Sequence, residues 1–310
     1  MRLSVSHETI YEYASPVEQA HHIARVRPLN DPRQTVFTHR CRIEPEPSCE
    51  REGVDAAGQS TRYFELTTPH TRLRVAAESV VETRSATGAP SGKLTEGERT
   101  PSMPWRDVVE YMHYRSGQRF DAAREFALAS PLAPVADPFK AFIAPLLSEN
   151  VGVHALGARL AHRIHAELRY KPAATDVHTS PVTALERREG VCQDFAQIMI
   201  ACLRSVGLAA RYVSGYLLTQ PPAGKPRLVG ADASHAWVEV YCPSAGWLEM
   251  DPTNDCFAGE THVLLARGRD YTDVPPLRGV IRGGGAHELS VAVTVAPWTE
   301  TPDASTGGRE

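Results

Sequence analysis

Glu189-Gly190-Val191-Cys192-Gln193-Asp194-Phe195-Ala196-Gln197-Ile198-Met199-Ile200-Ala201-Cys202-Leu203-Arg204-Ser205-Val206 is the stretch from which the rest of the chain is read. Phe195, Ile198, Met199, Cys202, Leu203 and Val206 recur at three- and four-residue steps, the period of an amphipathic helix, and Gly207 follows where a helix stop is expected. The pattern predicts a helix buried along one side. Cys192 then falls in the first turn, directly after Gly190-Val191. Unpaired backbone N–H groups and the positive end of the helix dipole favour an anion there, the setting in which reactive cysteines are built. Cys202 lies on the apolar stripe and reads as a small core filler.

Working outward from this helix, the texture changes to β on its C-terminal side. Residues 210–218 and 234–241 alternate, a Pro- and Gly-bearing hairpin loop separates them at 220–226, and a tight turn leads into 247–251. A cysteine-bearing helix packed on an antiparallel sheet is an α+β core. On its N-terminal side, 153–168 places Leu156, Leu160, Ile164 and Leu168 on one stripe of a helix. Shorter helices are expected at 138–147 and 181–187, and 105–126 is mixed. Residues 1–85 read as short strands at 3–13, 22–28, 35–44, 62–66 and 72–81, separated by Pro, Gly, Asn and Asp turns, hence an all-β N-terminal domain. Residues 86–100 are polar and Gly-bearing, a linker or exposed loop. The catalytic core then spans 101–285, with 268–285 loop-like. Residues 286–298 form a C-terminal strand expected to return to the N-terminal sheet, and 299–310 a disordered tail.

Composition narrows the function classes. The 310 residues are 42% hydrophobic and 23% charged, with a formal net charge of −4, and basic residues form no run interleaved with aromatics. Neither nucleic acid nor an anionic membrane is indicated, and a peptide or protein substrate is the default. The first residues alternate like a strand, with no apolar signal region, and no stretch reaches transmembrane length, so the expected address is cytoplasmic. The six cysteines then read as reduced thiols. The 13 histidines include no His-Glu-x-x-His, and no Cys-x-x-Cys occurs. No metal and no cofactor are expected. The oligomeric state is not legible.

A thiol nucleophile needs a base, and the base needs an orienting group on its other nitrogen. Downstream of Cys192, alternation puts His235, Trp237 and Glu239 on one face of a strand, and Asp251 follows on what reads as the neighbouring antiparallel strand. Each residue also has a plainer role. Cysteine is often buried, histidine is often a hydrogen-bonded core residue, and Asp251 before Pro252-Thr253 suits a turn that accepts backbone N–H bonds. Asp194 reads as a partner within the first helical turn. Asp270, Asp273 and Arg278 read as braces of a loop.

Taken together, Gly-Val-Cys-Gln-Asp-Phe-Ala (190–196), Asp-Ala-Ser-His-Ala-Trp-Val-Glu-Val-Tyr (232–241) and Gly-Trp-Leu-Glu-Met-Asp-Pro-Thr-Asn (246–254) resemble the Cys, His and Asp blocks of the transglutaminase-like superfamily. Residues 268–280 further resemble its bacterial transglutaminase-like cysteine protease branch, in which a β-rich N-terminal region precedes the core. The resemblance implies a papain-like core with the triad Cys192, His235 and Asp251, and a thioester intermediate. Related cores carry an aromatic or amide donor ahead of the cysteine, which points to Tyr170 for the oxyanion hole beside the Cys192 backbone N–H. Hydrolysis of peptide, isopeptide or amide bonds is the leading reading. Protein-glutamine acyl transfer uses the same first half-reaction, and a noncatalytic binding module that keeps the cleft is the third.

Overall fold

The computed structural model describes residues 1–85, 93–94, 102–117, 119–172, 179–219 and 234–299. The expected hairpin loop at 220–226, Asp232, most of the 86–100 linker and the tail from 300 onward lie outside the described residues. The chain opens with β1 (Arg2–Ala24), β2 (Gln34–Glu44), β3 (Cys49–Val54), β4 (Ser60–Leu66) and β5 (His70–Thr83). Next come α1 (Trp105–Met112), α2 (Asp137–Ile143), α3 (Val153–Glu167), β6 (Arg169–Tyr170), α4 (Pro181–Arg187), β7 (Glu189–Gly190) and α5 (Cys192–Arg204). The remainder is β8 (Ala210–Leu217), β9 (Ser234–Cys242), β10 (Gly246–Asp251), β11 (Cys256–Phe257), β12 (His262–Gly268), β13 (Leu277–Gly283) and β14 (His287–Pro297). The architecture is α+β: an all-β module beside a layer of helices on an antiparallel sheet.

The β-module is organised on β1. Its first half pairs with β5 and β14, and its second half with β4 and β13. The register with β5 breaks between Glu12 and Val17, around Pro16, which has no N–H to donate to a ladder. At this bend the sheet folds over a core of Val17, Ala20, Phe64, Leu66, Leu73 and Val75. Strand β14 lies along β1 from Leu3↔Pro297 to Tyr13↔His287.

The fold departs from the sequence reading at three places, the last two for one reason. Residues 22–28 do not start a new strand, because β1 continues through Ala24. Strand β3 was not anticipated. Residues 268–285 are not all loop and do not all belong to the core, since β13 pairs with β1. Strands β3 and β13 expose nearly every residue, so neither carries the apolar alternation that marks a half-buried strand.

The second sheet runs β11-β10-β9-β8-β12. Ala236, Val238, Val240, Leu248 and Met250 pack against α3 and α5 on one face. Helix α5 is buried on all sides rather than one, from Asp194 to Arg204, because α2, α3 and α4 surround the flanks the sheet leaves open. Even Arg204 is enclosed. Its guanidinium donates to the carbonyls of Phe126, Ala210 and Arg269 and to Ser130 Oγ at 2.7–2.9 Å, which satisfies a charge that burial would otherwise penalise.

The β-module covers the other face and the β12 edge. Leu3, Val5, Val81, Val293 and Val295 meet Tyr216, Val263 and Leu265. Edge strands present unpaired backbone groups, and here two glutamine side chains take them. Gln34 donates to the Leu264 carbonyl at 2.7 Å and accepts from its N–H at 2.8 Å. Gln59 pairs in the same way with Arg267. Among the described residues no helix is long and apolar enough to cross a membrane.

Candidate active site

Helix α5 begins where strand pairing ends. Tyr170 of β6 pairs in parallel with Gly190 of β7, and Val191 is the N-cap, so Cys192 is the first helical residue. Asp194 folds back so that its Oδ2 accepts the Val191 N–H at 2.8 Å, a bond that fixes the entry angle of the helix and satisfies one of the backbone donors exposed there. The carboxylate lies over Gly190, where an added Cβ would come within 2.7 Å of Oδ2. Gly190 is therefore a packing requirement of the turn that presents Cys192. The Cys192 N–H sits at the first helical position, where no preceding turn supplies a carbonyl and negative charge is favoured.

His235 stands near the start of β9, nine-tenths buried. Its Nε2 donates to Asp251 Oδ2 at 2.7 Å, and the Cys192 side chain lies near enough to the ring to help raise its pKa. With Nε2 occupied, Nδ1 is the nitrogen left for the thiol. Burial alone would depress the imidazole, but the charge and hydrogen bond of Asp251, with the nearby Cys192, outweigh it and raise His235 to about 10. Asp251 is fully buried. Burial would raise its pKa, but the charge of His235 and the bonds from His235 and His262 hold it well below the usual carboxylate range. The site thus favours an imidazolium on a carboxylate, beside a sulfur at a helix N-terminus.

The two carboxylate oxygens of Asp251 divide their work. Oδ1 accepts the Thr253 and Asn254 backbone N–H groups at 2.8 and 3.1 Å, which is the turn role that sequence suggests. Oδ2 faces His235, and Asn254 Nδ2 (2.6 Å) and His262 Nε2 (3.2 Å) also donate to it. From α3, His162 and His165 hold Asp255 Oδ2 and the Thr253 carbonyl, each at 2.9 Å, pinning the same turn.

Neither Asn254 nor His262 was singled out from sequence. Asn254 closes the 246–254 block as a turn residue, and His262 opens a continuous apolar run, Val-Leu-Leu-Ala, with no alternation to mark a strand. His235, Asp251 and His262 offer three metal-ligating atoms within 4.8 Å of one another, a cluster the expectation of no metal did not foresee. The two Asp251 contacts within it, 2.7 and 3.2 Å, are hydrogen bonds.

Trp237, fully buried, belongs to the core. Its ring lies nearly parallel to His235 at 6.1 Å and edge-on to His262 at 5.2 Å. Gly215 makes room for it, since a Cβ there would stand 2.4 Å from the indole. Tyr170 is half-exposed beside Cys192, edge-on to Phe195 at 6.3 Å, with its phenol pKa raised by burial and by the Cys192 charge. Gln193 is half-buried. Asp273 does brace a loop through Arg269, and buried Asp270 does so through the Leu132 and Thr272 N–H groups. Arg278 lies on exposed β13 instead.

Residues 3–82 match the bacterial transglutaminase-like N-terminal region, and residues 153–252 match the transglutaminase-like superfamily. An uncharacterised Mycobacterium tuberculosis protein is 37% identical over 303 residues, 96% of this chain and 93% of its own. The chain belongs to the transglutaminase-like superfamily. A solved structure from Cytophaga hutchinsonii, a candidate cysteine protease, superposes with a TM-score of 0.73 at 19% identity over 97% of this chain and 92% of its own, so this transglutaminase-like chain shares its fold. A Pseudomonas aeruginosa protein-glutamine gamma-glutamyltransferase is 33% identical over 161 residues, 52% of this chain and 21% of that enzyme.

Proposed function

We propose that the protein is a thiol-dependent hydrolase of peptide, isopeptide or amide bonds. The observation that carries the reading is the arrangement of His235, with Nε2 on buried Asp251 and Cys192 near the same ring at a helix start. Cys192 Sγ attacks the carbonyl carbon while the Cys192 backbone N–H at the start of α5 receives the developing oxyanion, with the Tyr170 hydroxyl as the second donor. The C–N bond breaks, His235 gives its Nδ1 proton to the leaving amine, and a thioester remains. Water then attacks the thioester carbonyl and loses a proton to His235, the C–S bond breaks, and release of the acid restores the sulfur–imidazolium pair. Asp251 stays ionised and holds the imidazole in its tautomer. Cys202 and Cys256 are unsuited to the role: burial pushes Cys202 up, and burial with the nearby Asp251 and Asp255 charges raises Cys256 to about 12.

The identity with the Pseudomonas glutamyltransferase favours a second reading in which an amine, not water, resolves the thioester. Incubation with p-nitrophenyl acetate should release a burst of nitrophenol equal to the enzyme concentration and leave an acetyl group on Cys192, detectable by intact-mass analysis. The Cys192→Ala protein should show neither. If the wild-type protein gives no burst and no adduct with esters or glutamine peptides, a noncatalytic binding module is the correct reading. Added primary amine that diverts most acyl groups into amide product would establish transfer over hydrolysis.

A further inference from the structure

We infer that His262 is the positioning residue of this site, set in place by the N-terminal module; the inference rests on the catalytic reading of Cys192, His235 and Asp251. The Gly259 backbone N–H donates to His262 Nδ1 at 3.2 Å, so that nitrogen is an acceptor and the proton must sit on Nε2. Nε2 lies 3.2 Å from Asp251 Oδ2. His262 is buried, and burial keeps the imidazole neutral. It is thus a fixed, uncharged donor, and together with Asn254 Nδ2 it meets the same oxygen that accepts from His235. A carboxylate held by three donors on one oxygen and two on the other keeps one orientation, and His235 inherits it.

His262 is the first residue of β12, the strand the β-module grips. Gln34 clamps Leu264 two residues on, and Gln59 clamps Arg267. A second path reaches the same rings: Arg33 pairs with Glu249, Glu249 accepts from Trp237 Nε1 at 2.8 Å, and the Trp237 ring touches both His235 and His262. The β-rich module thereby sets the position of the imidazole although it contributes no group to the reaction.

Two substitutions in the full-length protein separate a donor from a packing residue. His262→Phe keeps the edge contact with Trp237 and removes the hydrogen bond, whereas His262→Gln keeps a donor and an acceptor but loses the ring. The low-field proton signal of the His235–Asp251 bond, assigned by its loss in Asp251→Asn, should shift or vanish in H262F and return in H262Q. On p-nitrophenyl acetate, kcat of H262F should fall about 100-fold with KM little changed, the scale of a misplaced catalytic group. H262Q should recover most of it. An unchanged bridging proton in H262F, or an H262Q protein that behaves like H262F, overturns the assignment.

Should H262F not fold, the wild-type 15N spectrum decides, because a protonated Nδ1 or an imidazolium at His262 at neutral pH refutes it. The proton signal needs no turnover, so loss of the hydrolase reading would show as absent ester cleavage with the His262 effects on that signal intact.

Discussion

Asp251 does two jobs that sequence presents as rivals. Its Oδ1 ties the turn through Thr253 and Asn254, while Oδ2 takes His235. Asp251→Asn keeps the turn acceptor but presents an amide to His235 and removes the charge that raises the imidazole. Its acylation rate should fall about 10⁴-fold, the scale of the same change in other triads, with the fold retained by circular dichroism. An Asp251→Asn protein within tenfold of wild type would mean that Asp251 serves the turn alone. At this scale Cys192, His235 and Asp251 were legible because each sits in a recognisable local context. His262 and Asn254 were not, because a hydrogen-bonding role on another side chain leaves no periodic trace in the chain.

At the scale of elements, the helical period of 189–206 was readable, but its complete burial was not, since that depends on which helices surround it. The edge strand β12 shows the same limit. Gln34 and Leu264 lie 230 residues apart, and nothing local marks Gln34 as a substitute strand partner. Gln34→Ala would strand the buried Leu264 N–H and the Leu29 carbonyl that Gln34 also holds at 2.7 Å, while the Leu264 carbonyl keeps the Leu29 N–H. Unsatisfied buried groups cost about 1–3 kcal/mol each, so urea denaturation should show a loss of about 2–4 kcal/mol. Gly215→Ala makes a complementary prediction. The added Cβ collides with Trp237 and the Val263 carbonyl, so it should destabilise by about 1–3 kcal/mol, as overpacking does, and lower acylation as well, because the displaced indole moves against His235.

At the scale of the molecule, the module interface sets buried Glu239 and Glu249 of the core and half-buried Asp31 of the β-module against Arg33, Arg211 and Arg267. Three acids meet three bases there, so burial leaves no uncompensated charge, whereas removing one partner would. Titration of buried histidines shapes stability with pH. Burial lowers His7 and His22 from 6.5 to about 4, and burial with the Arg27 and Arg62 charges lowers His39 similarly. The unfolded chain therefore takes up these protons first, and their stabilisation is full above 6.5 and lost as pH falls toward about 4. His235 has the opposite sign: raised to about 10, its contribution is full below 6.5 and lost as pH rises toward that value. The melting temperature should thus peak near neutrality and fall on both sides. His22→Phe, which keeps the stacking on Phe64, should flatten the acid limb, and an unaltered limb would remove His22 from the account.

What the sequence determined by itself was the local content: a cysteine at a helix start, alternating strands bearing a histidine and an aspartate, and a β-rich beginning. Periodicity and turn chemistry act over a few residues, so they can be read without knowing the fold. Tertiary structure alone decided that β13 joins β1, that two glutamines close the edge of β12, and that His262 reaches Asp251. Those contacts join polar or exposed residues far apart in the chain, where burial writes no repeating pattern and only the folded arrangement brings the partners within hydrogen-bonding reach.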